Sequence, residues 1–192
     1  MAKRISLREF QQSLSERLVS ARRGEGGQTL LGIESGAADL PGGSHWLIDL
    51  ADSGEVVPLP QLTPAPLTKS WFAGIANIRG VLYSVVDFSA WRGGAPTPCN
   101  AQSRLLLVGA RHGISSALLV RRALGLRPLL QMRAASSAGA GDAAPARDAA
   151  PDAAGLPALW LGGRFTDAQD TTWTQLRIPA LLADPDYLDI AL

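Results

Sequence analysis

Residues able to do metal or nucleophilic chemistry are few in this chain and widely spaced. The two histidines, His45 and His112, each lack a second ligand at the spacing that zinc sites use. Cys99 lies in a loop rich in glycine and proline, and nothing in the spacing gives it a histidine base held by a third group. The sequence therefore predicts neither a metal site nor a nucleophilic cysteine.

Four carboxylates near predicted strands and turns could in principle supply an acid–base pair. They are Asp49, Asp52, Glu55 and Asp87. Carboxylates in such places are usually solvated or accept hydrogen bonds from backbone N–H groups, and Asp87 is expected to cap the turn after its strand. No GxGxxG motif or P-loop offers a phosphate site. We expect no enzyme activity and no cofactor, although a hydrolase with residues converging from distant positions stays open.

Composition narrows the possible partners. The chain has 192 residues, of which 46% are hydrophobic, so it can bury a core in one domain or in two small ones. Its formal charge of +1 gives no strong field for nucleic acid or anionic lipid. The first twenty residues lack the apolar core of a secretory signal, and no apolar run approaches the ~20 residues of a membrane span. We expect a cytoplasmic protein without direct membrane insertion, which a single cysteine suits.

The N-terminal segment, residues 1–27, reads as an amphipathic helix followed by a linker. Ser6 to Glu9 fit a capping box, and glycines from Gly24 onward end the helix predicted over 7–22. The apolar side chains of its first turns recur at helical spacing and are Leu7, Phe10, Leu14 and Leu18. Such a helix either packs on its own domain, which we favour, or docks on another chain.

Most of the remaining chain reads as short strands between turns rich in glycine and proline. Helical turns are expected at 49–57 and 68–73 and near Pro179–Leu182, and the prolines of 58–66 predict an extended connector. The strand candidates are 28–36, 45–50, 75–78, 81–88, 105–108, 114–120, 156–161 and 173–178. Many short strands of this kind favour small β-barrels. Residues 134–155 contain no large apolar side chain and are expected to form a flexible insertion, and 183–192 a tail.

The most informative stretch is the apolar run 71–88, WFAGIANIRGVLYSVVDF, which is interrupted by a polar turn. Ile75 and Ile78 precede the turn, and Val81 opens a strand of β-branched and aromatic residues after it. Gly80 supplies the backbone freedom of a tight reversal, which lets Arg79 project into solvent or onto a partner. The turn itself is Asn77-Ile78-Arg79-Gly80.

This hairpin resembles the G-V-x-N-L-R-G…P-V-V-D-L signature of CheW-like chemotaxis coupling proteins. The resemblance covers roughly residues 28–182. The predicted helix at 6–23 and the segments WFAGIANIRG and LYSVVDF resemble the PilI type, which serves twitching motility driven by type IV pili. Two positions depart from the pattern, because Ser84 replaces the usual proline and Arg121 replaces an aspartate of a later strand.

The resemblance implies a mainly β fold of two small five-stranded barrels, SH3-like or OB-like, packed side by side with an N-terminal and a short C-terminal helix. The first barrel is expected at about 28–100 and the second at about 101–182. It also implies a non-enzymatic adaptor that couples a methyl-accepting chemoreceptor's cytoplasmic tip to the regulatory domain of a CheA-type histidine kinase. Such a protein reaches the inner membrane through receptor arrays.

The expected contact residues lie on the hairpin. They are Ile75, Asn77, Ile78, Arg79, Gly80 and Val81. Arg79 either donates hydrogen bonds to a partner or bonds within its own domain, and both alternatives stay open. A small barrel that binds nucleic acid is the alternative function, which the low net charge disfavours.

Overall fold

The computed structural model of this chain describes residues 28–135 and 158–192. Short strands dominate both parts. The strands are β1 (Thr29–Glu34), β2 (His45–Asp49), β3 (Ser53–Pro58), β4 (Phe72–Ile78), β5 (Val81–Asp87), β6 (Arg104–Val108), β7 (Ser116–Val120), β8 (Arg122–Pro128), β9 (Arg133–Ala134), β10 (Leu161–Thr166) and β11 (Thr172–Leu176). The helices are α1 (Phe88–Trp91), α2 (Ile178–Leu182) and α3 (Pro185–Leu188), with 3₁₀ turns at Ala110–His112 and Leu129–Gln131.

The first sheet has five strands in the order β3-β6-β7-β5-β4. The connector after β3 returns to the far edge, where Thr63 and Ile75 of β4 exchange two backbone hydrogen bonds of 2.8 Å each. The prolines keep this connector out of the regular ladder, as the sequence predicts. The two ends of the sheet thus approach each other, and the sheet curls into a small barrel.

The second sheet has six strands in the order β8-β1-β2-β11-β10-β9. β9 contributes only Arg133 and Ala134, which pair with Thr166 and Phe165 of β10. β8 and β9 are joined by the 3₁₀ turn Leu129–Gln131, so the edge strands of this sheet are also neighbours in the chain. The mainly β fold with two barrel-like sheets is confirmed, although one sheet has six strands instead of five.

Within the described residues, buried side chains form three clusters, two of them within the sheets and the largest between them. Alternate residues of β6 divide between clusters, with Leu105 and Leu107 inside the first sheet and Leu106 and Val108 facing the second. Because both faces of β6 are covered, its sequence is continuously apolar. The shared core also packs aromatic rings edge-on or tilted against one another. They are Trp46 of β2, Phe88 and Trp91 of α1, Trp160 just before β10, and Tyr187 of α3.

The strands are not grouped in the order of the sequence. The expected division near residue 100 fails, because β6 and β7 lie with β3–β5, whereas β1 and β2 lie with β8–β11. Four pairings produce this exchange, namely the parallel pairs β5–β7 and β2–β11 and the antiparallel pairs β3–β6 and β1–β8. Each joins segments that are distant in the chain, so each sheet combines strands from separate parts of the sequence.

Two short segments differ from the helical turns that the sequence predicts, whereas the C-terminal helix agrees. The helical turn expected at 49–57 is wrong, because Ser53–Pro58 pairs with β6 as an edge strand. At 68–73 the structure has a single turn closed by a 2.9 Å hydrogen bond from the Phe72 N–H to the Lys69 carbonyl, and β4 begins at Phe72, so the turn is present but is not helical. The short C-terminal helix is confirmed as α2, and the expected tail holds a further helix, α3.

Two expected segments lie outside the described residues wholly or in part. The helix predicted over 7–22 falls entirely outside them. The insertion predicted over 134–155 begins with Ala134, which belongs to β9, and Ala135 is also described, whereas 136–155 is not.

Candidate protein-binding site

The turn between β4 and β5 is a tight two-residue reversal. Its central residues, Arg79 and Gly80, both have positive φ, at +53° and +85°, as a type I′ hairpin turn requires. Ile78 pairs with Val81 on either side, and the Asn77 side-chain oxygen accepts a 2.9 Å hydrogen bond from the Gly80 N–H. Gly80 therefore allows the reversal, as the sequence predicts, and the Asn77 side chain stabilises the turn.

The Arg79 guanidinium forms a two-pronged ion pair with Glu55 of β3. Its two terminal nitrogens lie 2.7 and 2.8 Å from the two carboxylate oxygens. The hydrogen bonds and the charge of Glu55 raise the pKa of Arg79 above its ordinary value. The side chains remain 75% and 45% exposed, so the pair lies on the surface. Of the two alternatives for Arg79, the bond within its own domain is present, and contact with a partner stays a prediction.

The six hairpin residues singled out by the sequence divide into exposed and supporting groups. Asn77, Arg79, Gly80 and Val81 are exposed at the end of the hairpin. Ile75 and Ile78 are half-buried instead, and they pack against the core between the sheets and the core of the first sheet respectively. The exposed group could contact a partner, and the two isoleucines hold it in place.

Two apolar residues that the sequence analysis did not select extend this surface. Leu82 and Ile114 are 61% and 42% exposed, next to Val81 at 46%. The parallel register of β5 and β7, with Ser84 opposite Ser116, places Leu82 and Ile114 at corresponding positions just before the paired residues. We call Leu82 and Ile114 the apolar rim; Val81, as the neighbouring residue of β5, lies on the opposite face of the sheet at the end of the hairpin. Leu82 lies in an apolar run that the sequence suggests is buried. The pairing of β5 with β7 begins only at Ser84, so Leu82 lies beyond the paired residues and is exposed.

The carboxylates considered as catalytic candidates are engaged in structural contacts. Asp87 accepts hydrogen bonds from the backbone N–H groups of Ser89, Ala90 and Thr97 and from the Thr97 hydroxyl. It therefore caps α1, as the sequence predicts. Asp52 lies 2.5 Å from an Arg111 nitrogen and 3.0 Å from the His112 ring.

A small open cavity of about 230 Å³ brings two of these carboxylates near one cation. Its lining is formed by Asp49, Asp52, Gln175, Leu176, Arg177, Pro179 and Ala180. Asp49 accepts hydrogen bonds from the Gln28 side chain and the Ala51 N–H. Since Asp52 is paired with Arg111, neither carboxylate is free of structural partners.

The part of the chain that the structure describes shows neither a metal-binding cluster nor a membrane-spanning helix. Across 28–135 and 158–192, no three histidine, cysteine, aspartate or glutamate side chains come together in a way that could hold a metal ion. No helix in that part of the chain combines the length and hydropathy needed to cross a bilayer.

Comparison with known proteins identifies the fold and family. A CheW-like domain family model matches residues 41–150. Protein PilI of Pseudomonas aeruginosa is 34% identical over 74 residues, which are 38% of this chain and 42% of that protein, so the match spans less than half of the relative. The crystal structure of the scaffolding protein TtCheW from Thermoanaerobacter tengcongensis superimposes with a TM-score of 0.55 at 17% identity, over 79% of this chain and 89% of that one. Since the family model spans more than half of its residues, this chain belongs to the CheW-like family.

Proposed function

We propose that this protein is a non-enzymatic adaptor that couples a chemoreceptor to a CheA-type histidine kinase. The single observation that carries the proposal is the exposed turn of Asn77 to Val81, fixed by hydrogen bonds and flanked by the apolar rim. Membership of the CheW-like family supports the same role. In this role no bond is made or broken, and the protein acts by holding its partners together.

The surface chemistry suits a helical partner. An amphipathic helix presents apolar side chains that the apolar rim can cover. The Arg79 guanidinium has five N–H donors, of which Glu55 uses two, so the others remain able to bind carbonyl or carboxylate oxygens. We propose that the cytoplasmic tip of the receptor, a helical hairpin, contacts this surface and that the kinase regulatory domain contacts another.

The pathway we propose is control of twitching motility by type IV pili. The similarity to Protein PilI supports it, although the match covers only part of each chain. In this pathway the protein lies in the cytoplasm and reaches the inner membrane through receptor arrays. Loss of the gene should then abolish twitching.

The proposal is tested by binding of the full chain to a kinase regulatory domain and to a receptor cytoplasmic fragment. Leu82→Glu places a charge on the apolar rim and should weaken receptor binding at least about tenfold, since burying an unpaired charge is costly. Leu67→Glu is the matched control, because Leu67 is 80% exposed and lies outside the rim. If the folded chain binds neither partner, or if both variants bind the receptor equally, the proposal fails.

A further inference from the structure

Three exposed leucines surround the point at which the described chain begins. Leu50, Leu126 and Leu130 are 42%, 61% and 75% exposed, and we call them the leucine patch. They belong to three different segments, the end of β2, β8 and the 3₁₀ turn after β8. The candidate protein-binding site includes none of them.

Hydrogen bonds fix the first described residue between two of these segments. The Gln28 carbonyl accepts a 2.8 Å bond from the N–H of Leu129, which precedes Leu130. The Gln28 side chain donates a 2.9 Å bond to Asp49, which precedes Leu50. The preceding chain, residues 1–27, therefore joins the fold between Leu50 on one side and Leu130 on the other.

The strand register shows that Leu126 continues an apolar row that is otherwise buried. Leu126 pairs with Leu31, Leu31 with Ile48, and Ile48 with Leu176. Cross-strand partners share one face of a sheet. The last three are at most 8% exposed and lie in the core between the sheets, so the exposed Leu126 is the open end of that core.

A short linker confines any helix formed by the preceding residues to this neighbourhood. The pattern of Leu7, Phe10, Leu14 and Leu18 predicts an amphipathic helix over 7–22. The five residues 23–27 can span at most about 17 Å. A tether this short holds the helix at a high effective concentration next to the patch.

We infer that residues 7–22 dock as an amphipathic helix on the leucine patch of the same chain. The apolar face of the helix covers Leu50, Leu126 and Leu130, and thereby closes the open end of the core between the sheets. In this arrangement the helix is part of the domain and does not serve as a binding segment for another protein. The inference does not depend on the proposed coupling function.

Hydrogen exchange of the purified full chain, followed by mass spectrometry at several protein concentrations, tests the docking. Backbone amides of 7–22 should exchange at least about tenfold more slowly than those of an unstructured peptide of the same sequence. The double variant Leu126→Glu/Leu130→Glu should remove that protection. The matched control Leu67→Glu/Leu192→Glu changes two other leucines, which are 80% and 86% exposed, and should leave the protection intact.

A reciprocal change tests the helix side of the contact. Leu14→Gln keeps good helix propensity but removes an apolar contact, so it should lower the protection, whereas Ser13→Gln on a different face should not.

Absent protection in 7–22, or equal protection in the patch and control variants, would overturn the inference. Protection that rises with protein concentration, together with a dimer in sedimentation, would overturn it in favour of a second copy. Protection that needs an added kinase or receptor fragment would overturn it in favour of a partner.

Discussion

Arg79 and Glu55 join the two ends of the first sheet at the surface. Arg79 lies in the turn after β4 and Glu55 in β3, and these are the outermost strands in the order β3-β6-β7-β5-β4. Their ion pair therefore spans the line where the barrel closes, which the backbone bridge between Thr63 and Ile75 also crosses. Because the turn continues from one edge strand and is paired with the other, the orientation of its exposed side chains is fixed.

Replacing Arg79 should impair partner binding much more than folding. Both side chains of the Arg79–Glu55 pair are largely solvated, and such pairs contribute little to stability. We expect Arg79→Ala and Arg79→Glu to leave the melting temperature nearly unchanged and to weaken receptor-dependent kinase output. The measurement is kinase autophosphorylation in a reconstituted complex with receptor. Normal output in a folded variant would contradict a contact role for this arginine.

Exchanging the two charges separates the role of the pair from that of the arginine. The double variant Glu55→Arg/Arg79→Glu can form the same ion pair with reversed polarity. If the pair only shapes the turn, the exchange should restore the output lost in Arg79→Glu. We expect no restoration, because a partner that accepts hydrogen bonds from Arg79 would meet a carboxylate instead.

Gly74→Ala should open the first barrel at its closing line. Gly74 has φ +124°, and a Cβ at this position would lie 2.5 Å from the Thr63 carbonyl oxygen. Backbone strain and overlap together should lower the free energy of unfolding by about 3 kcal/mol or more. Gly80→Ala is the control, since Gly80 also has positive φ but has open space around it, and it should cost about 1 kcal/mol. Urea unfolding curves measure both, and equal losses would argue against the overlap.

The sequence predicts the hairpin well because its signals are local. The β-branched and aromatic residues of β5, the glycine in the turn and the capping role of Asp87 are all local signals, and the structure has the strand, the turn and the cap. β3 was missed because it is an edge strand whose exposed residues include Gly54 and Glu55, so its apolar pattern is weak.

Long-range pairings could not be predicted from local patterns. The parallel pairs β5–β7 and β2–β11, with the antiparallel pairs β3–β6 and β1–β8, decide which strands share a sheet, and each depends on contacts between distant segments. The partner of Arg79 lies 24 residues away, and several other carboxylates were equally available in the sequence. The exposure of Leu82 also follows from sheet pairing, since its own run of residues reads as buried.

Asp87→Ala should destabilise the protein considerably more than loss of an ordinary helix cap. Asp87 is buried and accepts four hydrogen bonds, two of them from Thr97, which is also buried. Leaving these donors without partners should cost about 3 kcal/mol. Asp184→Ala is the matched control, because Asp184 caps α3 by accepting from Asp186 N–H alone and should cost about 1 kcal/mol. Similar losses in the two variants would show that the contacts to Thr97 add nothing.

Tyr187 should make the protein less stable at high pH. Its hydroxyl lies 2.7 Å from that of Ser116 in β7, and burial raises its pKa to about 12. The ordinary tyrosine value is about 10, so between these two values the unfolded chain ionises while the folded protein keeps the phenol neutral. The folded state then binds more protons, and the free energy of unfolding should fall by about 1.4 kcal/mol for each pH unit.

Tyr187→Phe isolates this effect from that of other groups that titrate in alkaline solution. At neutral pH the variant should lose about 1 kcal/mol, because the buried Ser116 hydroxyl loses its partner. Above about pH 10 its stability should decline less steeply than that of the unmodified protein, and the two curves should converge. Chemical unfolding followed across this range measures the difference. Parallel curves would mean that Tyr187 ionises as readily in the folded protein as in the unfolded chain, and that α3 does not hold the phenol away from water.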